Sequence, residues 1–141
     1  MNALRVLLLM LTLCPARGDK DIAFRMELAQ AIVDVTDDVV EQNTLARLAW
    51  FESSYRRAVA RCEILGDRGK SRGVFQIQGI TAYDRKAACG SLAQQTELAV
   101  RYIRRSAEAC PKNEGAMKLA VYVSGRCDRG QAAAKLRWGA P

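Results

Sequence analysis

The sequence predicts one mainly α-helical domain carrying a single small β ribbon and two disulfides. Three observations point there. Apolar residues recur at helical spacing along most of the chain beyond residue 20. One Gly- and charge-rich stretch, residues 62–72, interrupts that spacing and is followed by Val74, Phe75 and Ile77, a short run of strand character closed by Gly79. The 141 residues contain no internal repeat, low-complexity segment or linker, so a second domain is not expected. At 50% hydrophobic and 26% charged residues, the composition suits a buried core.

The first element reads as a targeting segment. A basic start, MNALR, precedes the apolar run Val6 to Leu13 and then CPARG, the pattern of a secretory signal peptide. The run is too short to span a bilayer, which takes about 20 residues. Ala16 and Gly18 supply small residues before a cut after Gly18, which leaves a domain of residues 19–141. A lipoprotein cut before Cys14 is the rival, and Leu13 is large for it. Asp21 to Val33 then forms an amphipathic helix through Ile22, Met26, Leu28, Ala29, Ile32 and Val33. Thr36, Asp37 and Asp38 offer a cap and acidic first turn for the next helix. Its apolar face runs through Val39, Val40, Leu45, Leu48, Ala49 and Trp50 and ends at Glu52.

Beyond the ribbon, Thr81 caps a helix through Cys89, and Gly90 stops it. A further helix starts at Ser91 with Leu92, Leu98, Ala99, Tyr102 and Ile103 inward. Residues 110–113 break it. Glu114 to Val123 is another helix, Ser124 to Cys127 a turn, and Gln131 to Trp138 a last helix.

Removing residues 1–18 takes Cys14, and leaves Cys62, Cys89, Cys110 and Cys127. An even number in a small exported domain implies two disulfides, with three connectivities open. No C-x-x-C pair and no histidine are present, which argues against a zinc site and excludes Ser-His-Asp and Cys-His catalysis. No metal or cofactor is expected. The formal net charge is +7; the segment removes Arg5 and Arg17, and 7 − 2 leaves +5. An exported basic domain suits a polyanionic target such as a bacterial wall, and charge alone would equally admit membranes or nucleic acid.

Glu52 is the candidate for the chemistry, with a surface glutamate near a helix end as the plainer reading of the residue alone. A carboxyl at the edge of an apolar helix face is partly desolvated, which disfavours its ionised form and keeps a proton available. Three ordered motifs surround it: Glu52-Ser53-Ser54-Tyr55, Gly73-Val74-Phe75-Gln76-Ile77, and Ala120-Val121-Tyr122-Val123-Ser124-Gly125. Together they resemble the lysozyme-like superfamily, most closely the soluble-type (SLT) lytic transglycosylases, over roughly residues 45–125. The third motif departs from the family's A-Y-N-A-G, with Val123 where the family has Asn.

The resemblance implies an α+β lysozyme-like fold with a dominant helical lobe and the ribbon beside the cleft. It implies cleavage of the β-1,4 bond between N-acetylmuramic acid and N-acetylglucosamine in peptidoglycan, with a 1,6-anhydro product. Glu52 would protonate the glycosidic oxygen, then as glutamate take the proton of the sugar's own C6 hydroxyl. Ser53 would support Glu52 or contact sugar, or else bond local backbone. Gln76 would bond a sugar amide or hydroxyl. Tyr122 would bond Glu52 and line the cleft, or else pack in the core. Ser124 would take over the sugar contacts that the family's Asn makes. Ser71, standing where animal lysozymes carry a second carboxylate, would contact substrate; Asp67 is the nearest ribbon acid. Trp50, Tyr55 and Phe75 read as packing. The favoured disulfides are Cys89–Cys110, closing a helix-containing loop, and Cys62–Cys127, tying segments that the family places across the active site.

The expected location is secreted or periplasmic, the partner the glycan strands of peptidoglycan, and the state a monomer without nucleic acid or membrane anchor. Three other readings remain: a lysozyme-type hydrolase on the same fold, a non-catalytic wall-binding module, and a basic antimicrobial or nucleic-acid-binding protein. Scattered arginines without interleaved aromatics argue against the last.

Overall fold

A computed structural model describes residues 2–140; Met1 and Pro141, the outer ends of the expected leader and domain, lie outside it. The described residues form eight α-helices: α1 (Asn2–Leu13), α2 (Asp19–Val35), α3 (Val39–Ser53), α4 (Arg57–Ala60), α5 (Ala82–Ala87), α6 (Leu92–Ala109), α7 (Ala120–Ser124) and α8 (Gln131–Arg137). Short 3-10 turns lie at Asp67–Gly69 and Gly115–Leu119. None of the helices is long and apolar enough to cross a membrane.

Helices α3, α5 and α6 begin where their sequences supply caps. Asp38 accepts the Glu41 amide at 2.9 Å and starts α3. Thr36 closes α2 instead, and its hydroxyl donates to Glu41. Thr81 caps α5 by accepting the Asp84 amide. Ser91 and Gln94 form a reciprocal capping box on α6. From that cap α6 runs on to touch α2, α3, α5 and α7. Leu98, Ala99 and Ile103 on α6 meet Leu28 and Ile32 of α2 and Leu45, Leu48 and Ala49 of α3 in one core.

The β ribbon does not form among the described residues. Residues 66–77 are instead turns pinned by two isolated antiparallel bridges, Gly66 to Ser71 and Arg72 to Ile77. The reason is local. Asp67, Arg68, Gly73 and Gln76 all have positive φ, which interrupts an extended backbone before a ladder can start. Val74, Phe75 and Ile77 are still buried, so the apolar run is a core-facing turn. Gly73 is obligatory there: a Cβ would stand 2.1 Å from the Ala88 carbonyl oxygen. The expected helix over Glu114–Val123 is likewise split into the 3-10 turn and α7, with Gly115 left-handed at its start.

The disulfides are Cys62–Cys89 and Cys110–Cys127, which corrects both expected pairs. Each joins sequence neighbours brought together by a short reversal, with separations of 27 and 17 residues. Cys62–Cys89 fastens the Gly-rich turns to the end of α5. Cys110–Cys127 fastens the α7 segment to the end of α6. No disulfide crosses from one group to the other. Closing such loops is worth about 3 kcal/mol each. Non-reducing peptide mapping should find these two links, and a peptide joining Cys62 to Cys127 would contradict the fold.

In the full chain α1 packs against α2 and α3. Val6 and Met10 are fully buried, and Leu7 nearly so. Arg25 of α2, with no solvent exposure, donates to the Met10 and Pro15 carbonyls at 3.2 and 3.1 Å and to the Cys14 carbonyl. The Cys14 and Pro15 carbonyls lie just past the end of α1, and that of Met10 also accepts the Cys14 amide at 3.0 Å. Asp21 balances its charge at 2.8 Å. Cys14 is the free cysteine of the described residues. A leader removed after Gly18 would take this packing with it. Burying Val6, Leu7 and Met10 is worth about 1.5–3 kcal/mol for each side chain. A chain starting at Asp19 should therefore melt about 10 °C or more below the full chain. Equal melting temperatures by calorimetry would show that α1 adds nothing to the fold.

Candidate active site

The end of α3 explains why Glu52 is presented where it is. Ser54 adopts a left-handed conformation and its amide bonds the Trp50 carbonyl at 2.8 Å, which ends the helix. Tyr55 follows in the same region, and the chain turns inward. The Tyr55 ring is buried, and its hydroxyl donates to the Ala46 carbonyl at 2.7 Å. Burial pushes that hydroxyl well above the usual tyrosine range. Glu52 is thus held in the last turn of a helix whose exit is anchored beneath it.

A cleft of about 690 Å³ opens beside that turn. Glu52, Ser71, Gln76, Tyr122 and Ser124 all line it, together with Asp67. Five of the six expected site residues therefore share one cavity, although they lie up to 72 positions apart (124 − 52). Ser53 does not join them. Its hydroxyl is buried and donates to the Ala49 carbonyl at 2.7 Å, a local bond within α3.

Each wall has its own support. Gln76 sits in a left-handed turn with its amide donating to the Gly73 carbonyl at 2.9 Å. Its Oε1 occupies the space above Gly66, where a Cβ would lie at 2.1 Å. Ser71 donates to Asp67 at 2.5 Å, and Gln78 donates to the same carboxylate oxygen at 3.1 Å. These two hydrogen bonds hold the Asp67 carboxyl below its ordinary range. Ser124 is exposed and tied to its own turn: its single hydroxyl proton has the Ala120, Arg126 and Arg129 carbonyls within reach.

Tyr122 lines the cleft but does not bond Glu52 as expected. Its hydroxyl donates to the Phe75 carbonyl at 3.0 Å and so joins α7 to the Gly-rich turns. Burial, and after it the negative charge of Glu52, push that hydroxyl well above the usual tyrosine value of 10.0.

Other contributors are not visible as site residues in the sequence. Tyr102 and Arg105 of α6 line the far end of the cleft, with Tyr102 bonded to Asp84 at 2.8 Å. Arg137 of α8 reaches Glu52 from outside the lining and donates to its Oε1 at 2.8 Å. Gln95, almost fully buried on α6, accepts the Val74 amide at 2.8 Å and donates to the Ala60 and Gly90 carbonyls. A polar residue at a core position of an amphipathic helix was the available sign for Gln95; for Arg137 no spacing in the sequence points to Glu52. Among the described residues no group of His, Cys, Asp and Glu converges to hold a metal ion.

Comparison with protein-family models, curated proteins and solved structures finds no match to this chain.

The raised tyrosines set a sign for alkaline stability. The unfolded chain loses the proton of Tyr122 near pH 10, while the folded chain retains it. The contribution is therefore complete below about pH 10 and is lost as pH rises above it. Urea titrations across this range should give a falling stability, with a shallower fall in Tyr122→Phe. An unchanged slope in that variant would remove Tyr122 from the effect.

Proposed function

We propose that the chain is an exported glycosidase of the lytic-transglycosylase type that cleaves peptidoglycan strands. One observation supports this most: Glu52 shares its cleft with Ser71, Gln76, Tyr122 and Ser124, residues drawn from separate parts of the chain. The cleft is partly open to solvent, which a polymeric strand requires. Two disulfides are compatible with an oxidising compartment.

The chemistry follows from one carboxyl group. Protonated Glu52 gives its proton to the glycosidic oxygen as the C1–O bond breaks and the electron pair leaves with that oxygen. The resulting carboxylate takes the proton of the C6 hydroxyl while that oxygen bonds C1. Glu52 is thereby reprotonated, and no second protein carboxylate is consumed. Gln76 supplies a side-chain oxygen that accepts no hydrogen bond from the described residues, for a sugar N–H or O–H. The Tyr122 hydroxyl, spent on Phe75, shapes the cleft rather than handling protons.

A second reading draws on Asp67. Its carboxyl lies in the same cleft, oriented by Ser71 and Gln78 and held ionised over a wider acid range. An acid and an ionised carboxylate facing one strand is the equipment of a hydrolase. The two readings differ in product. Digested peptidoglycan analysed by mass spectrometry should carry 1,6-anhydro ends, and Glu52→Gln should lower turnover by at least about 10²-fold with folding intact. Asp67→Asn should change turnover little. Reducing ends that vanish in Asp67→Asn would establish the hydrolase, and full activity in Glu52→Gln would overturn both.

A further inference from the structure

The guanidinium of Arg137 is the charged group in contact with Glu52, and it approaches from outside the cleft. Glu52 lines the cavity and Arg137 does not. The contact is a single hydrogen bond from Nε to Oε1 at 2.8 Å, and both side chains are largely buried, at 15% and 23% exposure. Oε2 accepts no hydrogen bond from the described residues.

Arg137 is itself held in place. Its Nη1 donates to the Ala133 carbonyl at 3.1 Å, one turn earlier on α8. Its guanidinium carbon stands 5.1 Å from the centre of the Phe51 ring, a cation–π arrangement with the residue preceding Glu52. The segment around it is fastened to α3, the helix that carries Glu52. Asn43 donates to the Gly139 carbonyl at 3.2 Å, the Gly139 amide donates to Thr44 at 2.9 Å, and Arg47 donates to the Leu136 carbonyl. Position 139 must be glycine for this seat, because a Cβ would lie 2.4 Å from the Thr44 nitrogen. A guanidinium gripped by a ring, a carbonyl and a carboxylate has little freedom left to lose when it works.

From this geometry we propose that Arg137 is a positioning residue for Glu52. It anchors Oε1 from behind, leaves Oε2 to face the scissile bond, and balances the carboxylate that Glu52 becomes after giving up its proton. The proposal rests on the reading of Glu52 as the acid and base of the reaction. In the first step the proton on Oε2 passes to the glycosidic oxygen, and negative charge appears on a carboxylate already in contact with a cation. In the second, that carboxylate takes the C6 hydroxyl proton and returns to the acid form. Arg137 exchanges no proton and touches no substrate. Its role is electrostatic and geometric, exerted through Oε1. The last helix of the chain thereby becomes part of the catalytic unit, although it lies outside the three motifs.

The test is steady-state kinetics on soluble peptidoglycan strands with the wild type, Glu52→Gln, Arg137→Met and Arg137→Lys, with melting temperatures measured on the same preparations. Methionine keeps apolar contact with Phe51 but removes the cation. Arg137→Met should lower kcat at least about ten-fold, a modest form of the loss that misplacing a catalytic group brings. KM should stay within about two-fold, since Arg137 does not line the cleft. Arg137→Lys restores a cation and should recover part of the lost kcat. An unchanged kcat in Arg137→Met overturns the proposal. So does a loss that follows the melting temperature and is not relieved by lysine, and so does a loss that falls on KM alone. If the folded wild type shows no turnover, or Glu52→Gln is fully active, the proposed reaction fails first and the role of Arg137 falls with it.

Discussion

One buried side chain, Gln95, is the constraint on which the cleft depends. It sits on α6 and spends its whole amide on backbone: Oε1 on the Val74 N–H, Nε2 on the Ala60 and Gly90 carbonyls. Those three groups belong to the Gly-rich turns, the end of α4 and the link between α5 and α6. None of them has a regular secondary-structure partner, and a buried peptide group without one costs about 1–3 kcal/mol. The amide therefore substitutes for the sheet that does not form. Its close approach is also why position 73 has no side chain: a Cβ there would stand 2.6 Å from Gln95 Oε1.

The cleft floor follows from that anchor. With Val74 fixed, the left-handed turn at Gln76 brings its side chain over Gly66, and the Phe75 carbonyl is free to receive Tyr122. The two walls are then stabilised separately. Cys62–Cys89 belongs to the turns and Cys110–Cys127 to the α6–α7 segment, while hydrogen bonds join the two, that of Tyr122 to Phe75 among them. A pairing of Cys62 with Cys127 would have tied the walls covalently. Hydrogen bonds through Gln95, Tyr102 and Tyr122 join them instead.

Glu52 is governed by a third arrangement, the end of α3. A left-handed pair at Ser54 and Tyr55 stops the helix, and the buried Tyr55 fixes its exit. Strained backbone of this kind is tolerated where surrounding contacts over-determine it. Arg137 then reaches the carboxylate from the last helix, across 85 residues of sequence. The apolar approach through Leu48 and Ala49 is buried, but the group in contact with Glu52 is a cation and not a hydrocarbon surface.

By itself the sequence determined most of the helices and several members of the cleft. Helix periodicity and cap residues such as Asp38, Thr81 and Ser91 act within a few positions, so they are legible without a fold. The motifs around Glu52, Gln76 and Tyr122 were legible as a set, and they share one cavity. Tertiary structure alone decided the rest. The apolar run Val74-Phe75-Ile77 suits a strand or a buried turn equally, and positive φ at Gly73 and Gln76 settles it. Cysteine pairing depends on which chain reversals meet in space, and composition carries no record of that. The packing of α1 on α2 and α3 could not be read either, because an apolar helix that leaves with a leader and one that fills a core share the same pattern. Arg137 meets Glu52 because α8 is seated on α3 through Asn43, Thr44 and Gly139, contacts between segments far apart in the chain. Local signals act between neighbours in sequence; contacts such as that of Arg137 with Glu52 are chosen by packing.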